Sequence, residues 1–256
     1  MDLSLITCNI RFDNPADGPN AWPLRRDFLT ETLLQHSPDI IATQEGRFDQ
    51  LRELNTLLND FHLLDEHRSW IKERMYPTFY LKNERFEVLS SEDLWLSETP
   101  NLAGSRSFDS AFPRLFTWVR VQPKGSDQNL LLVNTHLDHV KPETRAMQAN
   151  VLVNEVKRVS TPQDLICFMG DFNEGPDLKV REILTQNFSL TDSWKNFNEA
   201  EETSHHGFQG VFPEGSRIDW ILVDERVEVL GSHMDKSARN GLYPTDHFPI
   251  VTKIRF

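Results

Sequence analysis

The chain has 256 residues, is 38% hydrophobic and 26% charged, and carries a formal net charge of −12. That length supports one substantial core in a single domain spanning residues 1–256, and the composition is that of a globular protein. So acidic a chain lacks the basic footprint of a general nucleic-acid binder, whereas clustered carboxylates suit a divalent cation. Two cysteines, Cys8 and Cys167, lie in apolar runs and support neither a disulfide framework nor a zinc site. Charges at Asp2, Arg11, Asp13 and Asp17 leave no apolar signal or span at the start, so a cytoplasmic protein is expected; a monomer is expected as well.

In chain order, residues 3–9 are a strand candidate ending at Asn9, followed by a loop dense in turn formers, 14–20. Apolar residues at helical spacing mark a helix over 25–36, stopped by Ser37 and Pro38. A buried strand over 39–45 ends on Glu45, and Phe48, Leu51, Leu54, Leu57 and Leu58 mark a second helix. Residues 77–81, 86–96 and 115–121 read as strands rich in aromatic and β-branched side chains. The polar loop 97–113 is too long for a hairpin connection. It contains Arg106 and leads into Arg114; either can meet an anion or simply sit solvated at the surface. A strand over 130–135 runs into Thr-His-Leu-Asp-His at 135–139, and residues 142–159 are a long helix.

Residues 164–173 then carry an apolar run that stops at Gly170-Asp171-Phe172-Asn173. If the strand continues, alternation puts Asp171 and Asn173 on one face and turns Phe172 into the core. Alternation likewise pairs His136 with Asp138. The plainer reading of each such group is a strand closing in a polar turn. Residues 180–184 start a short helix, followed by an irregular stretch over 192–216 holding His205 and His206. A strand over 217–223 embeds Asp219 between Ile218 and Trp220, where a buried carboxylate needs a partner. Thr-Asp-His at 245–247 precedes the last strand.

Six signatures thus stand in fixed order: Asn9, Glu45, residues 135–139, residues 170–173, Arg-Ile-Asp at 217–219 and Thr-Asp-His at 245–247. That order, from about residue 3 to 255, resembles the endonuclease/exonuclease/phosphatase superfamily. The segments at 9–15, 94–100 and 134–139 are similar to a bacterial and fungal branch of its hydrolases. His136 stands where abasic-site repair enzymes use a tyrosine, which argues against DNA repair. The resemblance implies an α/β fold, a four-layer sandwich with two central mixed sheets flanked by helices. It implies metal-assisted phosphoester hydrolysis with Mg²⁺ or Mn²⁺ held by Glu45, Asn9 and Asp246. Asp171, Asn173, His247, His136 and Asp219 are then catalytic, and Arg114, His206 and Asp138 face the substrate. A small phosphorylated substrate, sugar- or lipid-linked, is expected. A nuclease and a non-catalytic phospho-ligand-binding module are the alternatives. Substrate choice is expected in loops 14–22, 97–114 and 194–208.

Overall fold

In a computed structural model that describes every residue except 196, 198, 199 and 213, the described residues form twelve strands and four α-helices. The first sheet contains β1 (Asp2–Asn9), β2 (Ile40–Gln44), β3 (Phe61–Leu63), β4 (Thr78–Lys82), β11 (Glu228–Met234) and β12 (Ile250–Arg255), in the order β11-β12-β1-β2-β4-β3. The second contains β5 (Phe86–Trp95), β6 (Leu115–Pro123), β7 (Asn129–His136), β8 (Asp164–Asp171), β9 (Leu190–Asp192) and β10 (Asp219–Asp224), in the order β5-β6-β7-β8-β10-β9. Both are mixed: β1–β2 and β7–β8 run parallel among antiparallel neighbours.

Three apolar clusters make this a four-layer sandwich. One, with Leu5, Ala42, Leu132, Met169 and Ile250, lies between the sheets. A second packs the outer face of the first sheet under α1 (Trp22–Leu34) and α2 (Phe48–Leu57) through Leu29, Leu33, Leu51 and Leu54. The third packs the second sheet under α3 (Pro142–Val159) and α4 (Lys179–Asn187). Helix α3 shows why: Ala149, Leu152, Val153 and Val156 recur at helical spacing and are buried, Pro142 sits at the first turn, and Lys157 and Arg158 sit in the last. The central strands are buried on both faces, so they read as continuous apolar runs rather than alternating ones.

Helix α1 begins at Trp22, ahead of the periodic apolar residues, because Pro23 is pre-organised for a first helical turn. The expected loop over 14–20 contains a 3-10 turn, Pro15–Asn20, capped by the Asn14 side chain. Strands β3, β9 and β11 were not expected. Two are only three residues long, and β11 includes Gly231 beside a register shift. Among the described residues no helix is long and apolar enough to cross a membrane.

Candidate active site

Register places the chemistry. In the second sheet His136 pairs laterally with Asp171, and Asp171 pairs with Asp219, so three polar residues form one row across β7, β8 and β10. In the first sheet Asn9 pairs with Gln44, one residue before Glu45. The strands leave these rows through left-handed residues: Arg11 (φ 50°), Glu45 (φ 68°) and Asn173 (φ 51°). Each costs on the order of 1–3 kcal/mol, a cost that persists where surrounding structure over-determines the backbone. Asn173 is therefore not a continuation of β8. The strand stops at Asp171, whose Oδ1 accepts from the Asn173 amide at 2.9 Å, and the turn rather than alternation brings Asn173 to the cavity. Phe172 does point inward, stacked on Trp220 with centroids 4.3 Å apart.

Asp171 Oδ2 is the meeting point of the two sheets. Asn9 Nδ2 donates to it at 3.0 Å and also reaches Glu45 Oε1 at 3.2 Å. His136 Nε2 stands 3.3 Å away and His247 Nε2 3.9 Å away. His247 Nδ1 lies 2.8 Å from Asp219 Oδ2, which also accepts from Ser204 Oγ at 2.7 Å. Burial disfavours a charged His247, but the Asp219 carboxylate, with Asp171 and Asp246 nearby, outweighs it and lifts the ring to about 10. Burial, followed by the facing Asp219, pushes Asp171 well above the ordinary carboxylate range, against the opposing pull of His247, Asn9 and the Asn173 amide.

His136 takes the opposite state. Arg114, which can only donate, reaches His136 Nδ1 at 3.0 Å, so that nitrogen is the acceptor and Nε2 carries the proton facing Asp171. Burial, then Arg114, His247 and His139, holds the ring neutral, well below the ordinary histidine range. Asn173, Glu45, Asp246, Asp171, His247 and Arg114 line one cavity of about 260 Å³. Asn9 and Asp219 lie behind that wall, fully buried.

Two residues expected on the substrate side stand elsewhere. Asp138 is fully buried, with Oδ2 taken by Ser110 Oγ and the Ala111 amide and Oδ1 by the Val140 and Lys141 amides. It ties the 97–113 loop to the start of α3 and has no oxygen left for a ligand. His206 is 1% exposed and stacks on Phe248 with centroids 4.0 Å apart; both ring nitrogens lack partners, and burial holds it at about 4. The cavity is met by its neighbour His205, whose ring lies 4.7 Å from that of His247. A pair of adjacent histidines gives no signal for which one faces outward. Arg11, Phe12, Met75, Phe112 and His139 also line the cavity and were not among the expected residues. Met75 alone carried no signal: Arg11 and Phe12 lie in the segment 9–15, Phe112 in the loop 97–114 and His139 in the signature 135–139. Of the loops expected to select substrate, 97–114 contributes Phe112 and Arg114, and 194–208 contributes His205. Residues 196, 198 and 199 of the latter lie outside the described residues. Arg106 is exposed, with Nη1 3.5 Å from the Ala111 carbonyl.

The sequence matches the endonuclease/exonuclease/phosphatase family over residues 6–247. The chain belongs to that family. An endonuclease/exonuclease/phosphatase from Bacteroides vulgatus superposes with a TM-score of 0.91 at 26% identity, covering 100% of this chain and 99% of that one. A mannosyl-6-phosphatase from Bacteroides thetaiotaomicron superposes at 0.86 with 22% identity, covering 99% and 100%. D. rerio TDP2 complexed with single strand DNA product gives 0.77 at 20% identity, covering 100% and 99%. A sequence search of curated proteins returns no significant match.

A divalent cation, which this family of phosphoester hydrolases generally uses, suits the donors present. Glu45 and Asp246 bring hard carboxylate oxygens to the cavity wall. Asp246 Oδ2 is under-partnered: Arg11 Nε and His205 Nε2 each stand at 3.9 Å, beyond hydrogen-bond range. Asn9 turns its NH₂ toward Glu45 and Asp171, and its Oδ1 accepts from the Arg11 amide. It therefore braces Glu45, and its Oδ1 keeps a second lone pair. His205, Asp246 and His247 also cluster closely enough to hold an ion, but a charged His247 bound to Asp219 is a poor ligand.

Proposed function

We propose that the protein hydrolyses a phosphoester bond in a small phosphorylated compound, sugar- or lipid-linked, with Mg²⁺ or Mn²⁺. The observation that carries this reading is the convergence on Asp171 Oδ2 of a neutral His136 and a charged His247, beside the Glu45 and Asp246 carboxylates. Glu45 and Asp246 would hold the ion, which when bound would neutralise charge developing on phosphate and leaving oxygens. Asp171, raised by burial, orients water and accepts its proton. His136 donates to Asp171 through Nε2 and keeps that carboxylate in place. His247, held by Asp219, donates from Nε2 to a non-bridging phosphate oxygen; one such donor is worth roughly 2.7–4 kcal/mol. Asn173 holds the water or a second oxygen, and Arg114 adds a cation at the cavity wall.

A mannosyl-6-phosphatase among the structural neighbours supports a sugar phosphate. The neighbour complexed with single-strand DNA product supports a nuclease as the second reading, against which stands the net charge of −12. Phosphate release from a panel of sugar phosphates, phospholipid headgroups and oligonucleotides, with Mg²⁺ or Mn²⁺ and with chelator, separates these readings. Turnover of oligonucleotides alone would replace the first with the second. Phosphate-analogue binding without turnover of any compound would indicate a binding module.

A further inference from the structure

The cleft shares Glu45, Met75, Phe112 and Arg114 with a recess of about 110 Å³ that is lined besides by His136, Arg47, Glu73 and Arg74. At roughly 30 Å³ per water this is space for about three or four waters, the scale of one small charged group rather than a sugar ring. Most other arginines in this acidic chain reach carboxylates, as Arg68, Arg120, Arg145 and Arg217 do, whereas Arg25 is satisfied by backbone carbonyls. Among the described residues Arg47 and Arg74 pair with none, and the Nε atoms of Arg47, Arg74 and Arg114 are buried without a partner. Arg47 is nevertheless held: its guanidinium lies 4.5 Å from the centroid of the Phe12 ring, as does that of Arg11. That contact fixes the cation while leaving its N–H donors free. Glu73 is exposed and forms no ion pair among the described residues, and with Glu45 it sets two carboxylates against the three arginines Arg47, Arg74 and Arg114 of the recess.

We propose that this recess is a second anion site, and that the substrate carries, besides the phosphate attacked at Asp171, a second anionic group seated on Arg47 and Arg74. The inference deepens the phosphoesterase reading and rests on it. Planar guanidinium forks bind phosphate or carboxylate bidentately, and Arg114 lines both spaces. The substrate class is therefore a small phosphoester with a second phosphate or a carboxylate, such as a sugar bisphosphate or a phosphorylated sugar acid.

The test compares wild type with the Arg47→Ala/Arg74→Ala double variant on glucose 6-phosphate, glucose 1,6-bisphosphate and 6-phosphogluconate. Wild type is expected to show at least a tenfold lower KM for one or both doubly anionic compounds, and which of them tells phosphate from carboxylate. The double variant loses that preference while its kcat on glucose 6-phosphate stays within about twofold. A preference absent from wild type, or retained in the variant, overturns the proposal. Calorimetric binding of methylenebisphosphonate, with chelator present, is read independently of turnover. A Kd at least tenfold weaker in the double variant supports the site, and no binding by wild type or equal binding by both overturns it. If wild type hydrolyses no phosphoester, the catalytic reading fails and this binding result alone decides the recess.

Discussion

Asp219 Oδ2 and His247 Nδ1 lie 2.8 Å apart, both buried, in a chain that separates them by 28 positions. The carboxylate keeps the imidazole charged against its own desolvation, with the donor Nε2 turned toward Asp171. A histidine lifted to about 10 stays protonated across neutral pH and loses its proton only as pH rises through that value. Wild-type activity should therefore show no alkaline decline attributable to His247 below about pH 9. In Asp219→Asn the lifting charge is gone while burial remains, so the ring is neutral at pH 8. Activity there should fall roughly 100- to 1000-fold. An Asp219→Asn profile parallel to wild type would contradict the role assigned to this pair.

Gly170 sits immediately before Asp171 with φ +147°, and a Cβ there would lie 2.2 Å from the Thr135 carbonyl oxygen. The obstructing atom is backbone of a paired strand, so it cannot swing aside. Gly170→Ala should destabilise the protein by about 2–4 kcal/mol and shift Asp171 out of line with His136. Chemical denaturation measures the first effect and kcat the second. An alanine variant of native stability would show that the strand pair is looser than this geometry implies.

Asp138 has a function that touches no substrate. Its four hydrogen bonds tie the loop carrying Phe112 and leading to Arg114 onto α3. Asp138→Ala leaves those donors unmet, which costs on the order of 1–3 kcal/mol. Loss of melting temperature should accompany a rise in KM, as Arg114 loses its setting, with a smaller change in kcat. A fall in kcat with KM and stability unchanged would instead return Asp138 to the chemistry.

Away from the site, Asp93 is held by Arg68 and His67, which outweigh burial and bring its carboxyl down to about 2. A carboxylate depressed from 3.8 contributes stability that is fully present above that value and lost as pH falls toward 2. The shift corresponds to roughly 2 kcal/mol. Denaturation free energies measured between pH 5 and 2 should show that loss in wild type and little of it in Asp93→Asn. The variant is also less stable at neutral pH, because buried Arg68 loses its counter-charge. Equal acid slopes in the two proteins would remove Asp93 from the account of acid sensitivity.

The sandwich was legible because its central strands are uninterrupted apolar runs and its helices carry period-3.6 faces, as in the span Pro142–Val159. Strands β3 and β9, at three residues each, carry too little pattern to stand out. At the site, the polar residues closing β1, β2, β7 and β8 marked where the chemistry collects. Periodicity could not say how side chains point once a strand ends, and that is where the differences lie. Asn173 reaches the cavity through a left-handed turn, Asp138 turns away to cap a loop, and His205 rather than His206 faces the cleft. Nor does any spacing rule reveal that Arg47 and Arg74 lack carboxylate partners, since that depends on packing between segments distant in sequence.

Hydrolysis of bis-p-nitrophenyl phosphate and p-nitrophenyl phosphate with Mg²⁺ or Mn²⁺, by wild type, Asp171→Ala and His247→Ala, tests the central claim most directly. Metal-dependent turnover by wild type is predicted on at least one ester, abolished by chelator and reduced at least 100-fold in each variant, with all three proteins equally folded by circular dichroism. Turnover that survives in both variants would contradict the assignment of this cleft as the active site.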